Sequence, residues 1–328
     1  MHRGASLTIV GRRTFARRAF GRTFYGSYDS NEVRTWSPSA TQCISSVQNA
    51  RVKTARMLAK RRGREKTDLV LLEGHRLCCD ALEAALRTAP SNSLHVPLPQ
   101  TVFIDEAAFL VPEGERLQGL LEQLPHEVVV STTREVLATV TTTETPQGCA
   151  VVLPRPELPW DQNAKLVLVC DNIRDPGNLG TLIRSSGAAG VDGILLIGGC
   201  ADPWSPKALR SAMGATLRLP IAISLDWETA IASGSGFLQE EKMSFYAADA
   251  SSALPYYAVD WTNRSAIIVG SEAAGLSTVV RRSVDEGKIK LVSIPLAPGR
   301  SQVESLNAAV AGSVILCEAR RQLACQST

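Results

Sequence analysis

The chain has 328 residues, 45% hydrophobic and 20% charged, with a formal net charge of +3. That length holds two domains with ample cores, and the composition is that of an ordinary globular protein. No apolar run reaches the length a bilayer span needs, and eight cysteines without a C-x-x-C pair, with four scattered histidines, offer no metal-ligand constellation, so neither a membrane nor a metal function is expected.

The charge is unevenly placed. Residues 1–28 carry Arg3, Arg12, Arg13, Arg17, Arg18 and Arg22 without one Asp or Glu, and Ser, Thr, Ala and Phe lie between them. That is transit-peptide composition, and RTFYGS at 22–27 resembles a mitochondrial processing site. A basic RNA-binding tail is the plainer alternative. Organelle import is favoured, with the mitochondrion ahead of the plastid. Residues 29–41 are polar and contain Pro and Ser, so residues 1–40 read as transit peptide and linker.

A helix is expected over 48–62, with Val52, Ala55, Leu58 and Ala59 on one side. The basic run 51–66 carries Lys53, Arg56, Lys60, Arg61, Arg62 and Arg64 against Glu65 alone. Such a surface grips phosphates without reading bases, which marks Lys53, Arg56, Lys60 and Arg61 as candidate RNA contacts. A strand at 69–72 and a helix at 74–86, with Leu77, Ala81, Leu82 and Ala85 on one face, come next. A loop at 89–100, a strand at 102–104, a helix at 115–124 and a strand at 128–130 complete a small α/β domain over 41–153.

Three prolines at 154–159 place a linker at 154–163. Strands are expected at 166–170, 193–197, 244–248, 266–269 and 291–294, and helices at 178–188, 206–215 and 304–323. This βα alternation over 164–328 predicts a parallel sheet covered on both faces. SGSGFLQEEK at 233–242 reads as a flexible surface insertion, and Cys170, Cys200 and Cys317 as small core residues in a reducing compartment.

Three blocks in the second domain carry chemistry. The first is D-N-x-x-D-P-x-N-x-G-x-x-x-R at 171–184. Asp175-Pro176-Gly177 is turn chemistry, and Asn178 is placed to cap the helix that follows. Gly180 is expected to let the backbone approach a ligand, and Arg184 to face the same cleft from that helix. The second block is V-G-S-E-A-A-G at 269–275, where Gly270 and Gly275 free the backbone to wrap a ligand and Glu272 is an acid just past a strand end. Alone, this would be an ordinary loop. The third joins I-P-L at 294–296 to E-S-L-N at 304–307. Leu306, Val310, Val314 and Cys317 repeat at helical spacing and are expected to pack on the sheet, with Ser305 and Asn307 pointing at whatever the loop encloses. No G-x-G-x-x-G follows a strand, and Gly187 and Gly190 fall at a helix end, which disfavours a dinucleotide enzyme.

In order and spacing these blocks resemble the SpoU (TrmH) family, S-adenosylmethionine-dependent RNA ribose 2′-O-methyltransferases of the SPOUT superfamily. R-V-K-x-x-R-x-L-x-x-R at 51–61, LVLLEGHRL at 69–77 and ETPQGCAVV at 144–152 are similar to the substrate-binding domain that precedes many of its catalytic domains. The resemblance implies an L30-like RNA-gripping domain, a SPOUT domain with a trefoil knot, and a homodimer. It implies an S-adenosylmethionine pocket at Gly270, Glu272, Gly275, Ile294, Leu296, Ser305, Leu306 and Asn307. It also implies a catalytic set of Arg184, Asn178, Glu272, Ser305 and Asn307. Guanidinium groups stay charged in proteins, so a phosphate clamp suits Arg184 better than a base. A plain surface arginine, and a plain helix cap at Asn178, are the bland alternatives. The loop APGRSQVE at 297–304, with Arg300, is longer than the family pattern.

The N-terminal RNA-binding domain is similar to that of the rRNA-directed branch, including mitochondrial large-subunit rRNA enzymes, so rRNA is expected before tRNA. A catalytically silent RNA-binding assembly factor would have lost Arg184, Asn178 or the S-L-N block, and all three are present.

Overall fold

The computed structural model describes residues 17–19, 22–24, 42–87, 96–161, 163–224, 227, 243–297 and 305–326. Most of the arginine-rich leader, the linker over 29–41, the insertion at 233–242 and the loop segment with Arg300 lie outside these residues. The first forty residues form a unit of their own, in which β1 (Arg17–Ala19) pairs antiparallel with β2 (Arg22–Phe24).

The second unit begins at Thr41. Its first sheet holds β3 (Gln42–Ile44), β4 (Leu69–Glu73), β5 (Thr101–Ile104), β6 (Val129–Thr132) and β7 (Cys149–Pro154), in the order β3-β6-β5-β7-β4. The first three strands of that order are parallel, and β7 runs antiparallel to β5 and β4. Helices α3 (His75–Leu86) and α4 (Gly114–Leu121) form as expected, with Leu77, Ala81, Leu82 and Ala85 buried. Sequence periodicity missed β3, β7 and α5 (Arg134–Val140). The α5 stretch is rich in Thr and Val, which favour strands in isolation. Thr133 nonetheless caps it, accepting from the Val136 N–H at 3.3 Å.

The single helix expected over 48–62 is two helices, α1 (Ala50–Met57) and α2 (Arg61–Thr67). Asn49 Oδ1 caps α1, accepting from the Arg51 N–H at 2.9 Å. The chain then turns so tightly that a Cβ at Gly63 would run into the Met57 carbonyl. Arg64 Nη1 donates to the Leu58 carbonyl at 2.5 Å, satisfying an acceptor freed where α1 ends. Val52, Ala55 and Leu58 enter the core with Leu71, Phe103 and Val130, whereas Ala59 is exposed.

The second sheet holds β8 (Leu166–Asp171), β9 (Gly193–Ile197), β10 (Ile221–Ile223), β11 (Ser244–Ala248), β12 (Ser265–Val269) and β13 (Ile289–Val292). Its order is β10-β9-β8-β12-β11-β13 and every pairing is parallel. Both faces are covered, as the unbroken apolar runs predicted. Leu166, Leu168 and Cys170 face a core with Leu182 of α6 (Pro176–Ala189). Val167 and Val169 face the opposite core with Val280 of α8 (Thr278–Asp285). Strand β10 and α8 were not expected, because each is short and lies next to a longer polar segment.

Two expectations about the last helix fail. Helix α9 (Ala308–Gln326) starts after the S-L-N block, not at 304. Its buried face is Ala308, Ala309, Gly312, Ile315, Leu316 and Ala319, leaving Val310 48% exposed and Cys317 exposed. Small residues win this face because α9 lies very close to its neighbours. A Cβ at Gly312 would sit 2.5 Å from Leu182 Cδ2. Cys200 is half-buried, its thiol donating to the carbonyls of Cys170 and Ile197 at 3.2 Å.

Helix α7 (Pro206–Ala212) packs along α6. A Cβ at Gly180 would lie 2.5 Å from both the Ala208 carbonyl oxygen and Ser211 Cβ. Gly180 therefore serves helix packing and not ligand approach. Gly180→Ala is expected to destabilise by about 1–3 kcal/mol through overpacking. Thermal unfolding checks this, and an unchanged midpoint would show that the helices separate without cost.

Candidate active site

The site lies at the carboxyl ends of the parallel strands, where open α/β sheets place ligand crevices. A cleft of about 210 Å³ is walled by Val269, Val292, Ile294, Leu296 and Leu306, with Asp249, Glu272 and Ser305 as polar groups. Seven of the eight residues expected to hold a cofactor line it: Gly270, Glu272, Gly275, Ile294, Leu296, Ser305 and Leu306. Asn307 stands beside it, bonded to Asn178.

The loop after β12 folds back on itself. Ser271 and Gly275 exchange both backbone hydrogen bonds at 2.9 Å. A Cβ at Gly270 would lie 2.6 Å from the Gly275 carbonyl, and Gly275 itself has φ +65°. Both positions need glycine, one for space and one for backbone sign. Glu272 is thereby carried to the edge of the cleft.

There Asn178 Nδ2 donates to Glu272 Oε1, and Asn307 Nδ2 donates to Asn178 Oδ1 at 3.2 Å. Three blocks far apart in the chain thus meet through one amide. Asn178 does not cap its helix, contrary to expectation. Asp175 does, its Oδ1 accepting from the Asn178 N–H at 2.9 Å, with Pro176 opening the first turn. Lys207 Nζ at 2.7 Å, and then the Asn178 N–H, hold the Asp175 carboxyl below its ordinary range. Freed from capping, the Asn178 side chain turns to the site. The cap of α9 is Asn307, whose Oδ1 accepts from Ala309 and Val310 at 2.9 and 3.2 Å.

Arg184 is on α6 but exposed, and it makes no hydrogen bond or ion pair among the described residues. The structure does not bring it against Asn178. Lys53, Arg56, Lys60 and Arg61 are all exposed, and Arg61 pairs with Glu65 at 2.8 Å. Their neighbour Arg64 is buried against Asp202.

Sequence reasoning missed Asp249, just past β11, which lines the cleft. Its Oδ1 accepts from the Ser251 hydroxyl and N–H at 2.6 and 2.9 Å, and Arg281 approaches at 3.6 Å. Chiefly the Ser251 hydroxyl, with Arg281 contributing, keeps this carboxyl below its ordinary range. The rule that ligands gather past parallel strand ends was the available signal.

The SpoU rRNA Methylase family model matches residues 165–317, and the MRM3-like substrate binding domain model matches 49–151. The chain is 35% identical over 305 residues to Danio rerio "rRNA methyltransferase 3A, mitochondrial", covering 79% of this chain and 65% of that one. It is 31% identical over 277 residues to the Bacillus subtilis 23S rRNA (guanosine(2553)-2′-O)-methyltransferase RlmP, covering 84% of this chain and 98% of that one. The crystal structure of an AdoMet-bound rRNA methyltransferase from Sinorhizobium meliloti superposes with a TM-score of 0.68 at 27% identity, covering 87% of this chain and 99% of that one. The chain belongs to the SpoU rRNA methylase family.

The family takes S-adenosylmethionine as methyl donor, and the cleft fits that group. Among its described lining residues are two carboxylates, Asp249 and Glu272, and no Lys or Arg, which suits a cationic sulfonium. The apolar walls suit an adenine ring.

Asp171, at the end of β8, ties the cofactor loop to the strand leading to Asn178. Its side chain is fully buried, and Oδ2 accepts from the Ser277 N–H at 2.6 Å. Burial raises its pKa above 3.8. The folded chain then keeps this proton where the unfolded chain has released it, so its contribution to stability falls as pH rises above 3.8 through the folded-state value. Asp171→Asn, which keeps an acceptor for Ser277, is expected to lose that slope. Urea unfolding of both proteins at acidic and neutral pH measures the difference, and parallel profiles would refute it.

Proposed function

We propose that this protein transfers the methyl group of S-adenosylmethionine to a ribose 2′-hydroxyl of large-subunit rRNA in the mitochondrion. The observation that carries the reading is the meeting of Asn178, Glu272 and Asn307 at the edge of the cleft. Support for the substrate comes from relatives named for rRNA and for a 2′-O position, and support for the compartment from the mitochondrial relative and the arginine-rich leader. A plastid is the alternative compartment, and tRNA the alternative substrate.

Held along Gly270, Ile294, Leu296 and Leu306, S-adenosylmethionine would supply an electrophilic methyl group to the ribose oxygen. The chain must then orient the acceptor and let its proton leave. Glu272 accepts from the Asn178 amide and Asn307 donates to its oxygen, so the amide is fixed at both ends beside the cleft-lining Glu272. Ser305 adds a hydroxyl at the cleft wall. Arg184 is assigned to the phosphate of the target nucleotide, because it is exposed and unpaired among the described residues. Lys53, Arg56, Lys60 and Arg61 hold flanking phosphates in an L30-like domain.

A trefoil knot and a homodimer belong to the same reading. The exposed Val310 and Cys317 on α9 support the dimer.

Arg184→Ala is expected to lower methyl transfer by about a hundredfold or more, as removal of a positioned charge does, while calorimetry finds cofactor affinity retained. Normal turnover would overturn the assignment. Neutralising Lys53, Arg56, Lys60 and Arg61 together is expected to weaken RNA binding and flatten its logarithmic salt dependence by up to about 3. Filter-binding titrations over a salt series test this, and an unchanged slope would remove the basic face from the RNA path.

A further inference from the structure

Residues 42–154 and the catalytic sheet are joined by two ion pairs, Arg64–Asp202 withdrawn from water and Arg210–Glu73 buried at its carboxylate while its guanidinium is 39% exposed. Arg64 of α2 donates from Nε and Nη2 to Asp202 Oδ2 at 2.8 and 2.6 Å, with side-chain exposures of 7% and 14%. Glu73, at the end of β4 and 3% exposed, receives Arg210 Nη1 of α7 at 3.5 Å. The same Arg210 nitrogen donates to Thr142 Oγ1 at 2.9 Å, and Thr142 donates back to Glu73 from its N–H and hydroxyl at 3.0 and 2.9 Å.

Both links converge on α7. Asp202 Oδ1 accepts from the Trp204 N–H at 2.8 Å, and its carbonyl accepts from Ser205, the residue that caps α7. Arg210 lies inside the helix. The opposite side of α7 meets α6 at Gly180, where no Cβ would fit, and Lys207 grips Asp175, the N-cap of α6. A displacement of the N-terminal sheet would therefore be passed through α7 to the helix that carries Asn178 and Arg184.

We infer that Arg64–Asp202 and Arg210–Glu73 are positioning pairs that fix the distance between the RNA-gripping surface and the reacting ribose, and so choose which nucleotide is methylated. The inference rests on the RNA role proposed for Lys53, Arg56, Lys60 and Arg61. A surface that holds phosphates without reading bases cannot select a nucleotide by itself. A rigid spacing to the catalytic helix supplies the missing register. Such pairs suit this because breaking either leaves a buried charge, Arg64 or Glu73, without its ionic partner.

The test uses the full chain with Asp202→Asn, Arg210→Gln and Arg210→Lys. Steady-state transfer to a large-subunit rRNA transcript gives kcat and the KM for RNA. Calorimetry gives cofactor affinity, and mapping gives the modified nucleotide. Misplacing the acceptor by a small distance is costly, so Asp202→Asn and Arg210→Gln are expected to raise the RNA KM about tenfold or more and to spread label onto neighbouring nucleotides, with cofactor affinity within about twofold. Arg210→Lys should recover most of the loss. An unchanged KM with a single labelled nucleotide in both variants would overturn the proposal. A fall in transfer matched by an equal fall in cofactor binding would also overturn it, by making the pairs purely structural. Neutralising the four basic residues in parallel separates the two ideas. If that variant keeps its RNA KM, the RNA reading fails. If it loses affinity while the junction variants do not, only the positioning role fails.

Discussion

The site depends on how tightly α6 is held between two other helices. It meets α7 at Gly180, and α9 approaches it where Gly312 faces Leu182, both at distances that would place a Cβ 2.5 Å from its neighbour. Interiors are packed like crystals, so helices in such contact move together or not at all. Asn178 takes its position from α6, and Asn307 stands at the start of α9, capping it. The hydrogen bond of 3.2 Å between them is thus set by helix packing and not by a flexible loop alone. The third member, Glu272, is held by a loop whose two glycines close it and whose far end is tied to β8 through Ser277 and Asp171.

The two reactants of the proposed transfer carry opposite charge, and the described residues assigned to each lie on separate surfaces. The cleft presents Asp249 and Glu272 to a cationic donor. Arg184 and the exposed basic residues of α1 and α2 face outward, where a polyanion can reach them. Among the described residues one cation approaches a cleft carboxylate, Arg281 at 3.6 Å from Asp249, which leaves Glu272 without an ion-pair partner for the donor to displace. Lys207 is paired with Asp175 and Arg281 lies against Asp249, leaving Arg184 as a charge on α6 with no partner among the described residues.

Much of this was legible from residue order. Apolar runs between turn residues located five of the six strands of the catalytic sheet, because strands buried on both faces read as continuous hydrophobic segments. Seven of the eight residues that the motif blocks marked for a cofactor line one cleft, because ligand loops need glycine and a few polar groups past strand ends. What escaped has a common cause. The buried face of α9 sets Ala308, Ala309, Gly312 and Ala319 beside Ile315 and Leu316, whereas a reading by side-chain size chose Val310 and Cys317. Gly180 looked like a ligand contact, since nothing in its local sequence shows that Ala208 and Ser211 lie against it. The capping role fell to Asp175 because Pro176 starts the helix earlier than the asparagine suggested. Contacts between segments distant in the chain decide each of these cases.

Arg64 makes the same point about charge. Residues 51–66 look like one uniform basic strip, and composition alone does not set Arg64 apart from its neighbours. The break between α1 and α2 changes the phase of the strip, turning Arg64 inward to the Leu58 carbonyl and Asp202 while Arg61 stays outside with Glu65. A buried guanidinium is tolerable only when its donors find acceptors, and three of its bonds do so here. The turn enforced at Gly63 therefore divides one charge run into two parts. One part remains available to a polyanion, and the other joins the sheet that would carry it to the sheet that holds the cofactor cleft.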